Sequence, residues 1–297
     1  MHLVGIDLGG TKVEGVILDP KRPADPIRRL RRPTESDKGY GRILTQIAAV
    51  VEDLRRECGP DFPERIGIGT PGTLDPKTQT IRGSNTQCLN GRPLKADLEK
   101  RLGLELEMAN DANCFALAEA TLGAARGYET VFGIILGTGC GGGYVVNGRV
   151  LNGCHGIAGE WGQIVIEPGG ELSGYGTRGI VEAYIAGPAL EKFYERESGV
   201  RRSLKEIATR VTSDVVAAVT MERLMEYFPR ALAAIIDTFD PHAIVIGGGV
   251  GNLDLLYSDA MRDRISSRIF APSFDAPLLK PQLGDSAGVF GATMLTA

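Results

Sequence analysis

The chain has 297 residues, 43% of them apolar, which is enough for two lobes of ordinary size with a core in each. A formal net charge of −4 gives no electrostatic footprint for nucleic acid or an anionic membrane, and no window approaches the roughly 18 apolar residues of a membrane span. The five cysteines are widely spaced, with no C-x-x-C pair, so they read as reduced thiols of a cytoplasmic globular enzyme or binding protein rather than a disulfide frame or a cysteine-based zinc site.

The apolar run Leu3 to Ile6 is a strand that stops at Gly9-Gly10, and Val13 to Leu18 resumes as a second strand. Arg28, Arg29, Arg31 and Arg32 follow a Pro-rich turn and read as a solvated strand or hairpin edge. Between Tyr40 and Cys58 the residues Ile43, Ile47, Val50, Val51 and Leu54 fall at helical spacing, and Gly59-Pro60 ends the helix. Ile66 to Gly69 is a short strand running into Thr70-Pro71-Gly72. Leu104, Leu106 and Met108 alternate as a half-buried strand does, and a helix rich in Ala, Leu and Glu follows from Ala112 to about Leu122. Strand, polar turn and helix therefore meet at Asn110-Asp111. Further on, Ala243 to Ile246 enters Gly247-Gly248-Gly249, and Gly288 to Leu295 is a closing helix with a small-residue face.

The chain also repeats itself. Gly5-Ile6-Asp7-Leu8-Gly9-Gly10-Thr11 aligns without gaps on Gly133-Ile134-Ile135-Leu136-Gly137-Thr138-Gly139 at an offset of 128 residues, and Gly15 falls on Gly143. Two lobes of related topology are expected, each opening with a hairpin whose glycine turn faces the cleft between them. Such turns suit polyphosphate, because residues without Cβ let successive backbone N–H groups converge on anionic oxygens. Asp7 would oppose bare phosphate, so it is read as holding Mg²⁺ through water, with Lys12 adding positive charge nearby. Gly137-Thr138-Gly139-Cys140-Gly141-Gly142 satisfies G-x-G-x-x-G, but the last glycine leads into a strand instead of opening a helix, which argues against a dinucleotide enzyme. No G-K-S/T ends any of these turns, so a Walker A loop fails too.

Asp7-Leu8-Gly9-Gly10-Thr11-Lys12, Asn110-Asp111-Ala112-Asn113, Leu136-Gly137-Thr138-Gly139-Cys140-Gly141 and Gly159-Glu160-Trp161-Gly162 occur in that order. Together with Gly247-Gly248-Gly249 and the closing Gly-Val-Phe-Gly-Ala stretch they resemble the ROK family of bacterial sugar kinases over nearly the whole chain. The resemblance implies an α/β, two-lobed actin-like (ribonuclease H-like) ATPase fold that closes on ATP, Mg²⁺ and a hexose, frequently as a homodimer. Residues 1–117, completed by a C-terminal helix at about 285–297, would form the smaller lobe and 118–284 the larger. Family repressors carry an N-terminal helix-turn-helix, for which no room is expected here. The phosphate-binding positions would be Gly9, Gly10, Thr11, Lys12, Gly137, Thr138, Gly139, Gly247, Gly248 and Gly249.

By the same resemblance Asp111 matches the catalytic base, while Asn85, Asn110, Glu160 and Glu182 match sugar-binding positions. The chemistry is consistent, since an alcohol becomes a nucleophile only when its proton is accepted. The competing reading of Asp111 is a helix N-cap. The sequence departs from the family at its structural zinc: the one histidine and three cysteines that hold the metal are replaced by Gln163, Ser173, Tyr175 and Ile180, so no zinc is expected and Gln163 takes the histidine's place beside the sugar. The Asn85 to Leu94 segment resembles the fructokinase and mannokinase branch, with Cys88 where that branch has tryptophan. Phosphorylation of the O6 hydroxyl of fructose, with mannose and glucose admitted by a pocket opened at Cys88, is the main expectation. The alternatives are an N-acetylhexosamine kinase and a sugar sensor without catalysis.

Overall fold

The computed structural model describes residues 2–297. In chain order the elements are β1 (Leu3–Leu8), β2 (Lys12–Asp19), β3 (Arg22–Pro33), α1 (Tyr40–Cys58), β4 (Arg65–Thr70), β5 (Thr73–Leu74), β6 (Ile81–Arg82), α2 (Leu94–Leu102), β7 (Glu105–Asn110), α3 (Asp111–Thr121), β8 (Thr130–Leu136), β9 (Cys140–Val146) and β10 (Arg149–Val150). They continue with α4 (Glu182–Ile185), α5 (Gly187–Ser198), α6 (Leu204–Ala208), α7 (Val215–Phe239), β11 (Ala243–Gly247), α8 (Asp259–Ser266), β12 (Leu278–Leu279) and α9 (Ala287–Met294). None of the helices among the described residues is long and apolar enough to cross a membrane.

The residues divide into two compact units. The first takes the chain up to Glu129, Gly143–Ala158 and Gln282–Ala297; the second takes Thr130–Gly142 and Gly159–Pro281. Against the expected boundaries at residues 117 and 284, the first unit runs on to Glu129, resumes at Gln282 and also takes the segment Gly143–Ala158. The reason is local packing. A Cβ on Gly143 would stand 2.7 Å from the Ala112 carbonyl oxygen of α3, and Arg82 donates to the His155 carbonyl.

The first unit is built on a sheet of order β3-β2-β1-β4-β7, antiparallel through β3, β2 and β1 and parallel from β1 to β4 to β7. Strand alternation decides what each face carries. Gly15 presents its face to α1, whose Val50 and Leu54 come so close that a Cβ there would lie 2.6 and 2.7 Å from them. Gly5 and Asp7 pair with Val16 and Glu14 on the opposite face, which α9 covers. The apolar side of α1 (Ile43, Ile47, Val50, Val51, Leu54) joins Val4, Ile6, Ile66 and Ile68 in one buried cluster.

The same alternation gives the arginine cluster its partners. β3 is the edge strand and all four arginines are exposed, as expected; Arg29 and Arg31 pair with Glu14, which is only 1% exposed, while Arg28 and Arg32 reach Glu57 and Asp53 on α1. A run that looks merely solvated in sequence is paired residue by residue.

The second unit centres on β8, β11 and β12, mutually parallel, in a sheet of order β10-β9-β8-β11-β12. Trp161 fills its core between Phe132 and Phe228, meeting both rings edge to face at centroid distances of 6.0 and 6.1 Å. The long helix α7 runs through Pro229 and starts at Asp214, whose carboxylate accepts the N–H groups of Val216 and Ala217.

Candidate active site

In the first unit the carboxyl ends of three parallel strands line up, with Asp7 opposite Gly69 and Thr70 opposite Asn110. Open α/β sheets bind ligands at such ends. Asn110 closes β7 and caps α3, its Oδ1 accepting the Asn113 N–H at 2.7 Å. Capping is therefore the work of Asn110, and Asp111 stands one residue further on, its Oδ1 accepting the N–H of Ala112 at 2.8 Å. Asp111 keeps access to solvent. Desolvation by the surrounding protein nevertheless raises its pKa, against the opposing pull of the Ala112 N–H and its own N–H.

The Asp7 pKa is raised to about 6, by burial first and then by the charges of Asp111 and Glu14, with Lys12 acting the other way. The Asp111 charge is therefore felt at Asp7, where it favours the protonated acid. Among the described residues no group of three or more His, Cys, Asp or Glu could hold a metal, so direct multidentate ligation is not offered here. Lys12 is fixed by Glu14 at 3.3 Å. Glu14 feels burial most strongly, which raises its pKa, but hydrogen bonds from Arg29 and Arg31 outweigh it and leave the pKa lowered.

The first glycine turn is braced from β3 and the residues after it. Thr34 Oγ1 donates to the Gly9 carbonyl at 2.7 Å, Ser36 Oγ to the Gly10 carbonyl at 3.0 Å, and the turn closes through Gly9 N–H to the Lys12 carbonyl. Gly10 and Thr11 stay exposed, leaving their N–H side available. Asn85 is exposed in the loop after β6, whose shape is set by Asn90 bonding both backbone groups of Ser84. The half-buried Cys88 turns its thiol toward the Ser36 carbonyl and packs against the core of this unit.

In the second unit the parallel strands β8 and β11 end side by side, Gly247 opposite Ile135. The turn after β11 requires glycine at 248, where φ is +85° and a Cβ would lie 2.4 Å from the Leu136 carbonyl oxygen. Gly137, Thr138 and Gly249 line a pocket of about 870 Å³ whose other walls come from Pro188, Leu204, Ala208 and Leu253. Pro188 occupies the first turn of α5, so the helix N-terminus and its partial positive charge lie at this pocket. Gly247 and Gly248 shape the turn without lining the pocket, and Gly139 lies against Glu182 instead.

The Gly159-Glu160-Trp161-Gly162 motif lies flat on β9. A Cβ on Gly162 would be 2.1 Å from the Cys140 carbonyl oxygen, and Trp161 Nε1 donates to the Gly141 carbonyl at 3.0 Å. This brings Glu160 and Glu182 to one place, since both charges raise the pKa of buried Cys140 beyond what burial does. Glu182 Oε2 accepts the Cys140 N–H at 3.0 Å, and its own pKa is raised by burial against that bond. Gln163 is exposed at the end of a short 3-10 turn.

Of the positions expected to lack zinc ligands, Ile180 is fully buried, Tyr175 is raised in pKa by burial and by Glu182 and Glu160, and Ser173 Oγ accepts the N–H groups of Tyr175 and Thr177 at 3.2 Å each. Hydrogen bonds hold this loop. Gly179 donates to the Glu171 carbonyl at 2.8 Å, Ile166 and Glu167 both donate to the Gly179 carbonyl, and Tyr184 accepts the Glu171 N–H at 2.9 Å. Arg223 lies 4.5 Å from the Tyr184 ring and 3.6 Å from Glu171, completing the support. Sequence reasoning missed Thr34, Ser36, Glu14 and the wall around α6. Only α6 carried a readable signal, the Ser203-x-x-Glu206 capping box.

The ROK family model matches residues 3–297. An N-acetyl-D-glucosamine kinase of Vibrio cholerae is 33% identical over 302 residues, covering 98% of both chains. A ROK hexokinase from Thermus thermophilus superposes with a TM-score of 0.88 at 35% identity over 100% of this chain and 98% of that one. A ROK glucokinase from Streptomyces griseus, solved with glucose and AMPPNP, gives a TM-score of 0.78 at 29% identity over 99% of each. With the family model spanning almost every residue and relatives a third identical from end to end, this chain belongs to the ROK family, as a sugar kinase with the two-lobed actin-like ATPase fold.

Proposed function

We propose that the chain is an ATP- and Mg²⁺-dependent hexose kinase whose acceptor is the O6 hydroxyl of an N-acetylated hexosamine, with N-acetylglucosamine ahead of fructose. The observation that carries the kinase chemistry is Asp111, a carboxylate on the first turn of α3 with a raised pKa, bonded by the backbone N–H groups of Ala112 and of Asp111 itself. A base of this kind takes the hydroxyl proton as the new O–P bond forms. Asn110, Asn85, Glu160, Gln163 and Glu182 are assigned to sugar hydroxyls. The nucleotide is assigned to the pocket at Gly137, Thr138 and Gly249, with the purine against Leu204 and Ala208 and the phosphates toward the α5 N-terminus. Asp7 would hold Mg²⁺ through water. When bound, the ion neutralises charge on the transferring phosphoryl group.

The substrate preference reverses the sequence expectation of fructose. It is supported by the N-acetyl-D-glucosamine kinases among the relatives. A coupled assay of ADP release with N-acetylglucosamine, N-acetylmannosamine, glucose, mannose and fructose tests this. Leadership of N-acetylglucosamine in kcat/KM by tenfold, about 1.4 kcal/mol of transition-state binding, is expected. Leadership of fructose would restore the earlier expectation, and no turnover with any hexose would leave a sugar sensor.

A further inference from the structure

The first unit contains a second recess, distinct from the turn at Gly9–Lys12. It is a pocket of about 240 Å³ between the edge strand β7, β5 and the loop after β10, with Thr73, Leu74, Asn110, Asn113, Asn152 and Gly156 among its walls. β7 ends the sheet, so its outer edge offers backbone groups with no strand beyond them. Asn113 is only 4% exposed, and its Oδ1 is buried without a hydrogen-bond partner.

A buried amide oxygen left unpaired is unusual, because most such atoms find a partner in protein or water. Asn113 is two residues from Asp111 and its backbone N–H is held by Asn110, so the side chain belongs to the same rigid first turn as the proposed base. The neighbouring wall is mixed, apolar at Leu74 and Met108 and polar at Asn110 and Asn152. That combination matches a small secondary amide: an N–H donor, a carbonyl acceptor and a methyl group. A ring hydroxyl matches only part of it. An acylamino group can also answer either end of the asparagine amide, since it both donates and accepts.

We infer that this recess is an acylamino subsite, in which Asn113 recognises the amide of an N-acylated hexosamine and thereby sets substrate preference. The inference rests on the N-acetylhexosamine reading above. It makes Asn113 a specificity-determining residue, with no part in proton transfer.

Two variants test it by steady-state kinetics with N-acetylglucosamine and glucose, alongside thermal melting. Asn113→Leu keeps the bulk and removes the acceptor. Asn152→Trp narrows the pocket from an exposed position where folding is not at issue. In each, kcat/KM for N-acetylglucosamine should fall by about 30-fold or more, while that for glucose falls by less than about threefold. Equal losses for both sugars in Asn152→Trp, or no loss for the N-acetylated sugar in either variant, would overturn the subsite while leaving the wild-type preference intact. A wild-type enzyme that ignores N-acetylglucosamine overturns the substrate reading itself, and the subsite with it.

Discussion

The hairpins β1–β2 and β8–β9 are one backbone used twice. Under the offset of 128 residues Leu8 falls on Leu136 and Lys12 on Cys140, which are the ends and starts of the corresponding strands. The apolar and glycine positions Ile6, Leu8, Gly9 and Gly15 recur as Ile134, Leu136, Gly137 and Gly143, but the charged side chains do not. Asp7 is replaced by Ile135 and Glu14 by Gly142. The first hairpin thus holds a carboxylate pair with Lys12, Arg29 and Arg31 around it, whereas the second offers backbone and the N-terminus of α5. A conserved backbone turn carries no chemistry by itself. Under the proposed function, what flanks it divides the labour, proton and cation handling at the first hairpin and anion handling at the second.

The sharpest way to break this division is at Asp111, beside the charged hairpin. Asp111→Asn keeps the shape and the Ala112 contact but cannot accept a proton, so kcat should fall by about 10²–10⁴-fold with KM for sugar little changed. Initial-rate kinetics at saturating ATP decide it. A variant keeping most of its turnover would move the base elsewhere.

The next effect is structural and compares the hairpins directly through Gly15 and Gly143. An added Cβ at 143 meets main chain, the Ala112 oxygen at 2.7 Å and the Asn113 Cα at 2.8 Å. At 15 it meets the tips of Val50, Leu54 and Ile6 at 2.6 to 3.0 Å. Side-chain ends can rotate and main chain in a helix cannot, so Gly143→Ala should cost about 3 kcal/mol and Gly15→Ala nearer 1 kcal/mol. Urea unfolding of both variants measures the ordering, and a reversed order would refute the packing argument.

Local signals made much of the fold legible. α1 was bounded correctly at Tyr40 and Cys58 because its apolar spacing and the Gly59-Pro60 stop agree, and the repeat gave both hairpins. β3 was less legible, because its arginines make sense only against Glu14, Asp53 and Glu57, which are distant in sequence. In the site, the motifs brought out Asp7, Asp111 and Thr138, but nothing in the string could say that Asn110 rather than Asp111 caps α3. Nor could it tell that Asn113 keeps an unpaired oxygen, since pairing depends on what the fold leaves nearby. The loop around Ser173 and Gly179 belongs with these, being held by main-chain bonds together with the Ser173 and Tyr184 hydroxyls, a set of partners fixed only by the fold.

A smaller effect separates stability from function at Asp7. Its pKa is about 6 in the folded protein against an ordinary value of 3.8, so the folded state holds the proton more tightly. Stability should therefore fall as pH rises from about 4 to about 6, and the penalty should be fully present above that window. Asp7→Asn removes the penalty. In EDTA it should be more stable than wild type by about 2–3 kcal/mol at pH 7.5 and equal to it below pH 4. Kinase activity should drop at the same time, as expected where a functional charge is kept against stability. No gain at pH 7.5 would show that the carboxylate is not strained there.

The smallest effect tests whether the charges of the first hairpin act as one unit. Glu14 and Asp7 are direct cross-strand partners on the same face, an arrangement that is unfavourable for like charges unless something offsets it. Three cations do so here, Lys12, Arg29 and Arg31. Glu14→Gln removes their anion, but all three cationic side chains are at least a third exposed and can return to water. The loss should therefore be modest, about 1–2 kcal/mol at pH 7, rather than the larger cost of stranding a buried charge. Because the Glu14 pKa is lowered in the folded state, the wild-type advantage should hold at neutral pH and disappear as acid protonates the glutamate. The informative quantity is the coupling. Since the Glu14 charge helps to raise the Asp7 pKa, the stability gained by Asp7→Asn should shrink in a Glu14→Gln background, and a double-mutant cycle of urea midpoints in EDTA should show a coupling of about 0.5–1 kcal/mol. Strict additivity would mean that Asp7 is shifted by burial and Asp111 alone, and that the arginines of β3 serve the edge of the sheet without reaching the site.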